Sequence, residues 1–497
     1  MKTMLCACED VTSEEVDVAL GKGFRDVESV KRYTGFGTGM CQGKQCLQTV
    51  ACYLKKHGKP APTDRQLLAF TPRPPYVPTE LSLWASLPIA KEAPAFGFGV
   101  PPELSLEAHA LKPHGPVKPK ARVVIIGGGI MGLALAHNLS QRGESDVVVL
   151  DRSYLCAGAS GRNGGGVRMQ WGTATNIALA RRSIDLMKSF AREMGINIWL
   201  RQGGYLFLAK SQKIADRLKA SAALHNQHGV KTQVLSPAQA QDIVPQLNTD
   251  GVGMAAFNPE DGVIFPWPFL WGYAQAARKR GVSVESFTRV TGFDISGGLV
   301  RKVRTDRGDI ACDRVVLAAG AWSRELAALA GVALPNEPHR HEICSTEPLK
   351  PFLGPLVSVL DTGLYFSQSM RGEIVGGMGD SQEPGGMDLG SSSRFLSRYA
   401  EALTSLIPQT GPLKVLRQWA GPYDVTPDNS PILGPTPGLS NLLQMSGFVG
   451  HGFMMAPAVA ERMAEWMLQG TRDELFSRYT LERFAEGRLE REDMIIG

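Results

Sequence analysis

Four cysteines near the start of the chain have the residue type and spacing of metal-cluster ligands. Cys6 and Cys8 are separated by one residue, and Cys41 and Cys46 by four residues. Thiolates at such spacing can hold an iron–sulfur cluster. Four thiolates also suit Zn²⁺, although zinc ribbons usually use two-residue spacings. The pattern therefore favours a one-electron centre, with zinc as the alternative.

A second pattern, further along the chain, is typical of nucleotide binding. The apolar run 123–126 leads directly into Gly127-Gly-Gly-Ile-Met-Gly132, and Asp151 follows 19 residues after Gly132. In such a loop the glycines allow a tight turn, close approach of phosphate and packing of helix on strand. The following helix presents its N-terminus to the pyrophosphate, and the carboxylate can accept hydrogen bonds from a ribose. A nucleotide cofactor beside a one-electron centre suits an enzyme that takes two electrons and passes them on singly.

Composition limits the class of protein. The 497 residues predict two or three domains, and 43% apolar with 20% charged residues is typical of a soluble globular protein. A net charge of +5 without a Lys/Arg run gives no support to nucleic-acid binding. No apolar stretch approaches the ~20 residues of a membrane helix. We expect a cytoplasmic protein that reaches a membrane surface only through a partner, and ordinary thiols at Cys52, Cys156, Cys312 and Cys344.

The chain divides into four stretches by composition. Residues 1–58 predict a small helical unit, and residues 59–120, with 13 of the 32 prolines, predict a semi-rigid extended linker that packs over another surface. Residues 121–470 have α/β periodicity, and residues 471–497 form a tail. Helices are predicted over 26–32, 44–57, 130–142, 181–193 and 456–468 and from a Thr12 or Ser13 cap, strands over 122–126 and 147–150, and a β-meander over 282–317.

Four motifs in residues 121–470 resemble one flavoprotein family. They are Gly158-Ala-Ser-Gly-Arg-Asn-Gly-Gly-Gly-Val-Arg168, Val315-Val-Leu-Ala-Ala-Gly-Ala-Trp-Ser323, Thr426-Pro-Asp-Asn-Ser-Pro-Ile-Leu-Gly434 and Gly447-Phe-Val-Gly-His-Gly-Phe453. In this order they are similar to the D-amino-acid oxidase/sarcosine oxidase (DAO) family. The resemblance implies FAD, an α/β Rossmann-like FAD-binding domain, and an α+β substrate domain whose mixed sheet covers the flavin.

The resemblance also implies which residues contact FAD. Val290 is expected against adenine, in the strand that follows a helix over 268–280, and the turn at Gly447 is expected at the flavin pyrimidine edge. The full expected set is Gly127, Gly129, Met131, Gly132, Asp151, Arg152, Ser160, Arg162, Asn163, Gly165, Val290, Ala319, Gly320, Trp322, Gly447, Gly450, His451 and Gly452.

The segment from Cys6 to Tyr53 resembles the bacterioferritin-associated-ferredoxin-like [2Fe–2S] domain. It is most similar to the version in subunits of opine, proline and hydroxyproline dehydrogenases and of hydrogen cyanide synthase. The resemblance implies Cys6, Cys8, Cys41 and Cys46 as cluster ligands. In those relatives the cluster module usually belongs to another subunit, so its fusion here departs from the pattern. The resemblance further implies a second flavoprotein subunit in a heteromeric complex, and a quinone or carrier protein as electron acceptor.

The family implies oxidation of the C–N bond of an amino or imino acid by hydride transfer to FAD. Arg168 is the first candidate for the substrate carboxylate; further pocket candidates are Arg340, His341, Tyr365, Trp419 and Tyr423. The cluster favours a dehydrogenase over an oxidase, and the resemblance implies a proline, hydroxyproline, sarcosine or opine type of substrate. Three alternatives stay open: an oxygen-using amine oxidase with a structural cluster, a hydroxy-acid or polyol-phosphate dehydrogenase, and an electron-transfer subunit without its own substrate.

Overall fold

The structure is a computed structural model, and it describes residues 3–67, 70, 73–75, 77–89, 115–470, 473–492 and 494–495. The chain begins with a small unit of three helices and a two-stranded ribbon: β1 (Met4–Cys6), β2 (Val11–Thr12), α1 (Ser13–Gly21), α2 (Val27–Thr34) and α3 (Leu47–His57). Thr12 caps α1 and exchanges hydrogen bonds with Glu15 in a capping box, as the sequence predicts.

The rest of the chain alternates between two sheets. Its helices are α4 (Asp64–Leu67), α5 (Leu81–Ser86), α6 (Ile130–Gln141), α7 (Ala174–Met194), α8 (Gln212–Gln227), α9 (Pro237–Ile243), α10 (Pro266–Lys279), α11 (Ser323–Ala328), α12 (Ser393–Leu406), α13 (Gly452–Gln469) and α14 (Glu474–Arg478). Its strands are β3 (Thr79–Glu80), β4 (Lys120–Ile126), β5 (Val147–Leu150), β6 (Gly166–Val167), β7 (Tyr205–Ala209), β8 (Gln233–Leu235), β9 (Met254–Asn258), β10 (Gly262–Val263), β11 (Ser283–Glu285), β12 (Val290–Ser296), β13 (Leu299–Thr305), β14 (Ile310–Leu317), β15 (Glu337–Pro348), β16 (Leu356–Val359), β17 (Leu364–Gln368), β18 (Glu373–Gly377), β19 (Lys414–Val425), β20 (Ile432–Thr436) and β21 (Leu439–Ser446).

The first sheet is the Rossmann-like one. Strands β11, β5, β4 and β14 lie side by side and parallel, and β21 adds a further parallel strand to β14. Strands β4 and β5 are apolar and almost fully buried, because α6, α10 and α13 cover one face. The antiparallel run β12–β13–β14 confirms the predicted meander. This sheet presents the carboxyl ends of β4 and β5 to a cofactor.

The second sheet is mixed and larger, with strand order β3-β19-β15-β18-β17-β16-β7-β9-β8. Its neighbours are antiparallel except for β16 and β7. One face packs against α12 through a buried cluster that includes Phe366, Tyr399 and Leu403. The two-sheet α/β architecture is that expected from the family resemblance.

The segment predicted as an extended linker contains regular structure. Within residues 59–89, α4 and α5 form, and β3 pairs with β19 at the edge of the second sheet. Leu81 is fully buried against that sheet. Residues 90–114 of the predicted linker lie outside the described residues. In the part of the chain that the structure describes, no helix is both long enough and apolar enough to cross a membrane.

The N-terminal unit is docked on the rest of the chain through aromatic and ionic contacts. Phe24 lies with its ring centroid 4.5 Å from that of Trp271, and Arg32 lies over Trp267 at 4.5 Å. Glu28 is fully buried beside Lys31 and Arg32. Burial opposes its ionisation, but Arg32, Lys31 and the nearby Arg73 outweigh burial and lower the pKa of Glu28 to about 2. The unit is thereby held close to α10 of the first sheet.

Candidate active site

A cavity of about 680 Å³ runs between the two sheets. One end is formed by the glycine loop after β4, the end of β5 and the start of β12. The other end is formed by β7, β15, β17 and β19 of the second sheet and by β6, which pairs with β10 in a separate two-stranded ribbon. A groove that joins the carboxyl ends of parallel strands to a second domain is where α/β proteins bind dinucleotides.

The glycine loop is shaped by contacts that leave no room for side chains. Gly127 has φ +119°, and a Cβ there would lie 2.3 Å from the carbonyl oxygen of Ala318. A Cβ on Gly132 would lie 2.0 Å from the carbonyl oxygen of Gly127. The loop therefore brings the start of α6 directly against β4, and the N-terminus of α6 opens into the cavity. This cradle of glycines fits a pyrophosphate.

Asp151 holds the same loop from the end of β5. Its carboxylate accepts from the main-chain N–H of Gly128 and of Ser153, both at 2.9 Å. Burial raises the pKa of Asp151 to about 6, although these two hydrogen bonds oppose the rise. The carboxylate lines the cavity beside Val290, as a ribose-binding acid must. Val290 is the first residue of β12, whereas the strand that directly follows α10 is β11. The prediction that Val290 lies in the strand directly after this helix is therefore wrong.

The middle of the cavity is built from the segment 158–168. Ser160 Oγ accepts from the main-chain N–H of Ile130 at 3.0 Å, which ties this segment to the start of α6. Arg162 donates to the carbonyl oxygens of Ala157 (2.8 Å) and Ala420 (2.9 Å), which ties it to β19. The segment therefore bridges the two sheets along the middle of the cavity.

The turn before α13 closes the far wall. Asp424 accepts from the main-chain N–H of Gly447 and from Asn336, so a buried carboxylate fixes the turn. His451 lines the cavity and is 3% exposed, and within the part of the chain that the structure describes its Nδ1 has no hydrogen-bond partner. Burial lowers the pKa of His451 to about 3, so the ring is neutral. An unpartnered buried nitrogen in the cavity wall is an atom that a bound cofactor can satisfy.

Most of the predicted FAD-contacting residues line this one cavity. Gly132 and Gly447 are the exceptions, because they lie behind the wall and shape its backbone. The lining members of the set are Gly127, Gly129, Met131, Asp151, Arg152, Ser160, Arg162, Asn163, Gly165, Val290, Ala319, Gly320, Trp322, Gly450, His451 and Gly452.

Arg168 lies at the substrate end of the cavity. It is 2% exposed, and its guanidinium stacks on the Trp171 ring at 3.7 Å. Its Nη atoms donate to the carbonyl oxygens of Gln170 and Met494, and its guanidinium also interacts with the Tyr205 side chain. Among the described residues, its Nε has no hydrogen-bond partner. A cation fixed in this way with an N–H to spare can bind a carboxylate.

Three aromatic rings stand in a row at this end. His341 lies between Tyr365 (centroids 5.6 Å apart) and Tyr423 (4.5 Å apart), nearly parallel to both. His341 Nε2 and the Tyr365 hydroxyl are hydrogen bonded at 2.9 Å. Burial lowers the pKa of His341 to about 4 and raises that of Tyr365 well above its ordinary value, so both are neutral near pH 7.

Two predicted pocket residues are placed elsewhere. Arg340 faces away from the cavity, where it pairs with Glu383 at 2.8 Å and with Asp388 at 3.1 Å. Trp419 does not line the cavity; its Nε1 donates to the carbonyl oxygen of Arg162 at 2.8 Å, which makes it a support for the wall. Arg340 and His341 are neighbours on β15, and of the two only His341 lines this cavity.

The structure adds pocket residues that sequence reasoning missed. Tyr205 on β7, Trp171 before α7 and Ile495 near the end of the sequence all line the cavity. No local motif surrounds them, so the sequence offered only an apolar strand, an aromatic residue near Arg168 and a tail. Their positions depend on the topology of the second sheet.

The four N-terminal cysteines lie near one another. Cys8 interacts electrostatically with Cys41 and Cys6, Cys46 interacts with Cys6 and Cys41, and all four are free of disulfides. Main-chain N–H groups of residues 43–45 point at the Cys41 sulfur, and that of Gly37 at the Cys46 sulfur. Among the described residues, no three His, Cys, Asp or Glu side chains meet as they would around a single metal ion.

Known proteins share both parts of this architecture. Residues 122–466 match the family described as FAD dependent oxidoreductase (DAO), and residues 1–87 match the family described as sarcosine oxidase A3 domain. The chain belongs to the FAD-dependent oxidoreductase (DAO) family. It is therefore an FAD-dependent enzyme, and the glycine cradle and the unpartnered His451 nitrogen fit that cofactor.

Relatives in this DAO family are similar over most of the chain. Sarcosine oxidase subunit beta of Rhizobium meliloti is 31% identical over 74% of this chain and 90% of its own length. Rat mitochondrial dimethylglycine dehydrogenase is 29% identical over 71% of this chain, but the match spans only 43% of that protein. The crystal structure of L-proline dehydrogenase from P. horikoshii is 35% identical, covers 75% of this chain and all of its own, and superposes with a TM-score of 0.72.

Proposed function

We propose that the protein is a dehydrogenase that oxidises the C–N bond of an amino or imino acid of the proline, hydroxyproline, sarcosine or opine type. The observation that carries the proposal is Arg168, a buried cation with a spare N–H at the end of an FAD cavity. FAD, when bound, supplies the hydride acceptor. The named activities of the relatives, on sarcosine, dimethylglycine and L-proline, support the same class of substrate.

The residues of the pocket have separate roles in this proposal. Arg168 binds the substrate carboxylate and so fixes which carbon faces the flavin side of the cavity. His341 and Tyr365, both neutral, wall the pocket without adding a second charge. Tyr205 and Trp171 exclude water around the reacting carbon. A pocket with one buried cation and neutral aromatic walls suits a small amino acid anion.

The test is an anaerobic titration of the purified holoprotein with L- and D-proline, hydroxyproline, sarcosine and octopine. We expect one of these amines to bleach the oxidised flavin absorbance, while a hydroxy acid such as L-lactate does not. If only the hydroxy acid bleaches the band, the C–N proposal is wrong. If no compound bleaches it, the alternative of an electron-transfer subunit without its own substrate takes its place.

We further propose that the four cysteines hold a [2Fe–2S] cluster. In such a cluster two thiolates bind each iron, so four thiolates are needed, and Cys6, Cys8, Cys41 and Cys46 lie near enough to one another to interact electrostatically. The main-chain N–H groups that face Cys41 and Cys46 are those that stabilise negatively charged sulfur. The cluster, when bound, supplies one-electron transfer, which favours a dehydrogenase over an oxidase.

Cys46→Ser tests the cluster proposal, with Cys52→Ser as the matched control because Cys52 is exposed on the same unit. We expect Cys46→Ser to lose iron, inorganic sulfide and visible cluster absorbance but to keep flavin, and Cys52→Ser to keep all of them. Equal iron and sulfide in both variants contradicts the ligand assignment. Zinc in place of iron in the purified wild-type protein supports the zinc alternative.

Electrons then leave the protein to a second flavoprotein subunit, a quinone or a carrier protein, in the cytoplasm or at a membrane surface reached through that partner. The beta-subunit names of the sarcosine oxidase relatives support a heteromeric complex. The sarcosine oxidase names also keep a second candidate, an oxygen-using oxidase. Hydrogen peroxide in amounts equal to substrate consumed identifies the oxidase; reduction of an artificial dye without peroxide identifies the dehydrogenase.

A further inference from the structure

A short segment near the end of the sequence crosses the substrate end of the cavity. We name residues 490–492 and 494–495 the strap. Its first residue is fastened to the loop between β19 and β20: Glu490 donates its N–H to Asp428 at 3.0 Å and accepts from Ser430 at its carbonyl oxygen. The Glu490 carboxylate also pairs with Arg478 at 2.7 Å. These bonds anchor the strap before it reaches the pocket.

Glu492 clamps the strap to the start of α7. Its side chain is 2% exposed, and Oε1 accepts from the main-chain N–H of Gly172 and of Met494, both at 2.8 Å. Oε2 accepts from Asn176 Nδ2 at 2.8 Å. With both oxygens satisfied in this way, the direction of the next residues is fixed. The Met494 side chain is then fully buried, and its carbonyl oxygen accepts from Arg168.

Ile495 stands between two cavities. Beside the FAD cavity lies a second one of about 310 Å³, and Ile495, His341, Tyr423 and Val449 line both. The far wall of the second cavity is polar: it includes Arg340 with its partner Glu383, as well as His339, Asp380 and Asn429. Ile495 is thus one of four side chains that lie between the aromatic pocket at Arg168 and a space that could hold a polar group.

We propose that Ile495 is a specificity-determining residue that sets the maximum length of the substrate. The inference rests on the proposed function for the identity of the substrate, and on the strap for its position. With Ile495 in place, a compact amino acid such as proline fits between Arg168 and the flavin side of the cavity. Without it, the pocket joins the second cavity and admits an N-substituted amino acid whose distal arm ends in a polar group.

The first test measures binding without turnover. Straight-chain carboxylates from propanoate to octanoate are titrated into the oxidised holoenzyme, and the change in flavin absorbance gives each dissociation constant. Each buried methylene adds about fourfold in affinity until the chain meets a wall. We expect Ile495→Gly to move the length at which affinity stops rising by at least one methylene group. Leu489→Gly, at an exposed position shortly before the strap, is the control. Identical length profiles for wild type and Ile495→Gly overturn the proposal.

The second test separates this inference from the proposed function. Rates of anaerobic flavin reduction are compared for proline and for octopine in wild type, Ile495→Gly and Leu489→Gly. We expect at least a tenfold rise in the octopine-to-proline ratio in Ile495→Gly alone. If no amine reduces any variant but the carboxylate profile still shifts, the proposed function fails and the role of Ile495 stands. If proline reduces the flavin in all three proteins, but neither the carboxylate-length profile nor the octopine-to-proline ratio changes, the proposed function stands and the role of Ile495 fails.

Discussion

The two ends of the cavity are built in different ways. At the nucleotide end the surface is mostly main chain, shaped by Gly127, Gly132 and the hydrogen bonds of Asp151. At the substrate end it is mostly side chains, with Arg168 contributed by the segment after β6 and His341 by β15. The glycine loop and Asp151 lie within residues 127–151, whereas the substrate end collects residues from 168 to 495.

Because of this difference, the nucleotide end and the substrate end should tolerate amino-acid substitutions to different degrees. A main-chain cradle depends on close approach of backbone atoms, so a single added methyl group disturbs it. A wall of side chains can change one residue at a time while the sheets stay in place. Cofactor binding should therefore be sensitive to small substitutions, and substrate choice should be adjustable without loss of the flavin.

The largest effect is expected at the nucleotide end, from Gly132→Ala. The new Cβ would lie 2.0 Å from the carbonyl oxygen of Gly127, so α6 must move away from the loop. We expect FAD affinity to fall by roughly 100-fold. Gly292→Ala, on β12 of the same sheet, is the control because its Cβ meets nothing closer than 3.9 Å. Flavin released per protein, measured by absorbance, checks both; equal flavin content in the two variants contradicts the cradle argument.

Sequence reasoning did well where structure is local. The capping box at Thr12 and the strand–turn–helix around Gly127 depend on neighbours in sequence, so they were predictable. The helices predicted over 26–32 and 130–142 correspond to α2 and α6. The predicted and observed bounds differ by one or two residues.

The positions of side chains that depend on the pairing of distant strands do not follow from the sequence. Arg340 and Trp419 were chosen by residue type, but pleat and pairing of β15 with β19 direct them away from the cavity. Ile495 was assigned to a tail, because nothing near it in sequence reveals that Glu492 clamps it to α7. A pocket assembled from distant strands cannot be inferred from spacing alone.

The largest effect at the substrate end is expected from Arg168→Met. The substitution removes the buried cation while keeping an apolar side chain of similar reach, so kcat/KM should fall by roughly 100-fold. Arg301→Met, at an exposed position of β13, is the control. Stopped-flow flavin reduction measures the rate, and flavin content is measured alongside. A loss of flavin equal to that of Gly132→Ala would mean that the two ends are not independent.

His341→Gln should change how stability depends on pH. The pKa of His341 is about 4 in the folded protein, below its ordinary value of 6.5, because the ring is buried between Tyr365 and Tyr423. The unfolded chain therefore binds more protons between these values, and this residue lowers the free energy of unfolding as pH falls from 6.5 to 4. Relative to the variant, the free energy of unfolding of the wild-type protein should fall by about 2 kcal/mol as the pH is lowered from 7.5 to 5. Urea unfolding at both pH values measures it; a difference that is independent of pH contradicts the neutral buried ring.

The smallest effect is expected from Tyr365→Phe. The change removes only the hydroxyl that bonds His341 Nε2 at 2.9 Å, and the ring can keep its place beside His341. A single neutral hydrogen bond contributes about 1 kcal/mol, so kcat/KM should fall roughly fivefold. Flavin content should match wild type, because Tyr365 lies at the end of the cavity away from the glycine loop. Steady-state kinetics with the amine that bleaches the flavin measure kcat/KM, and absorbance measures the flavin content. A hundredfold loss would show that the hydroxyl acts on the substrate itself, whereas a loss of flavin would show that the side-chain wall also shapes the cofactor site.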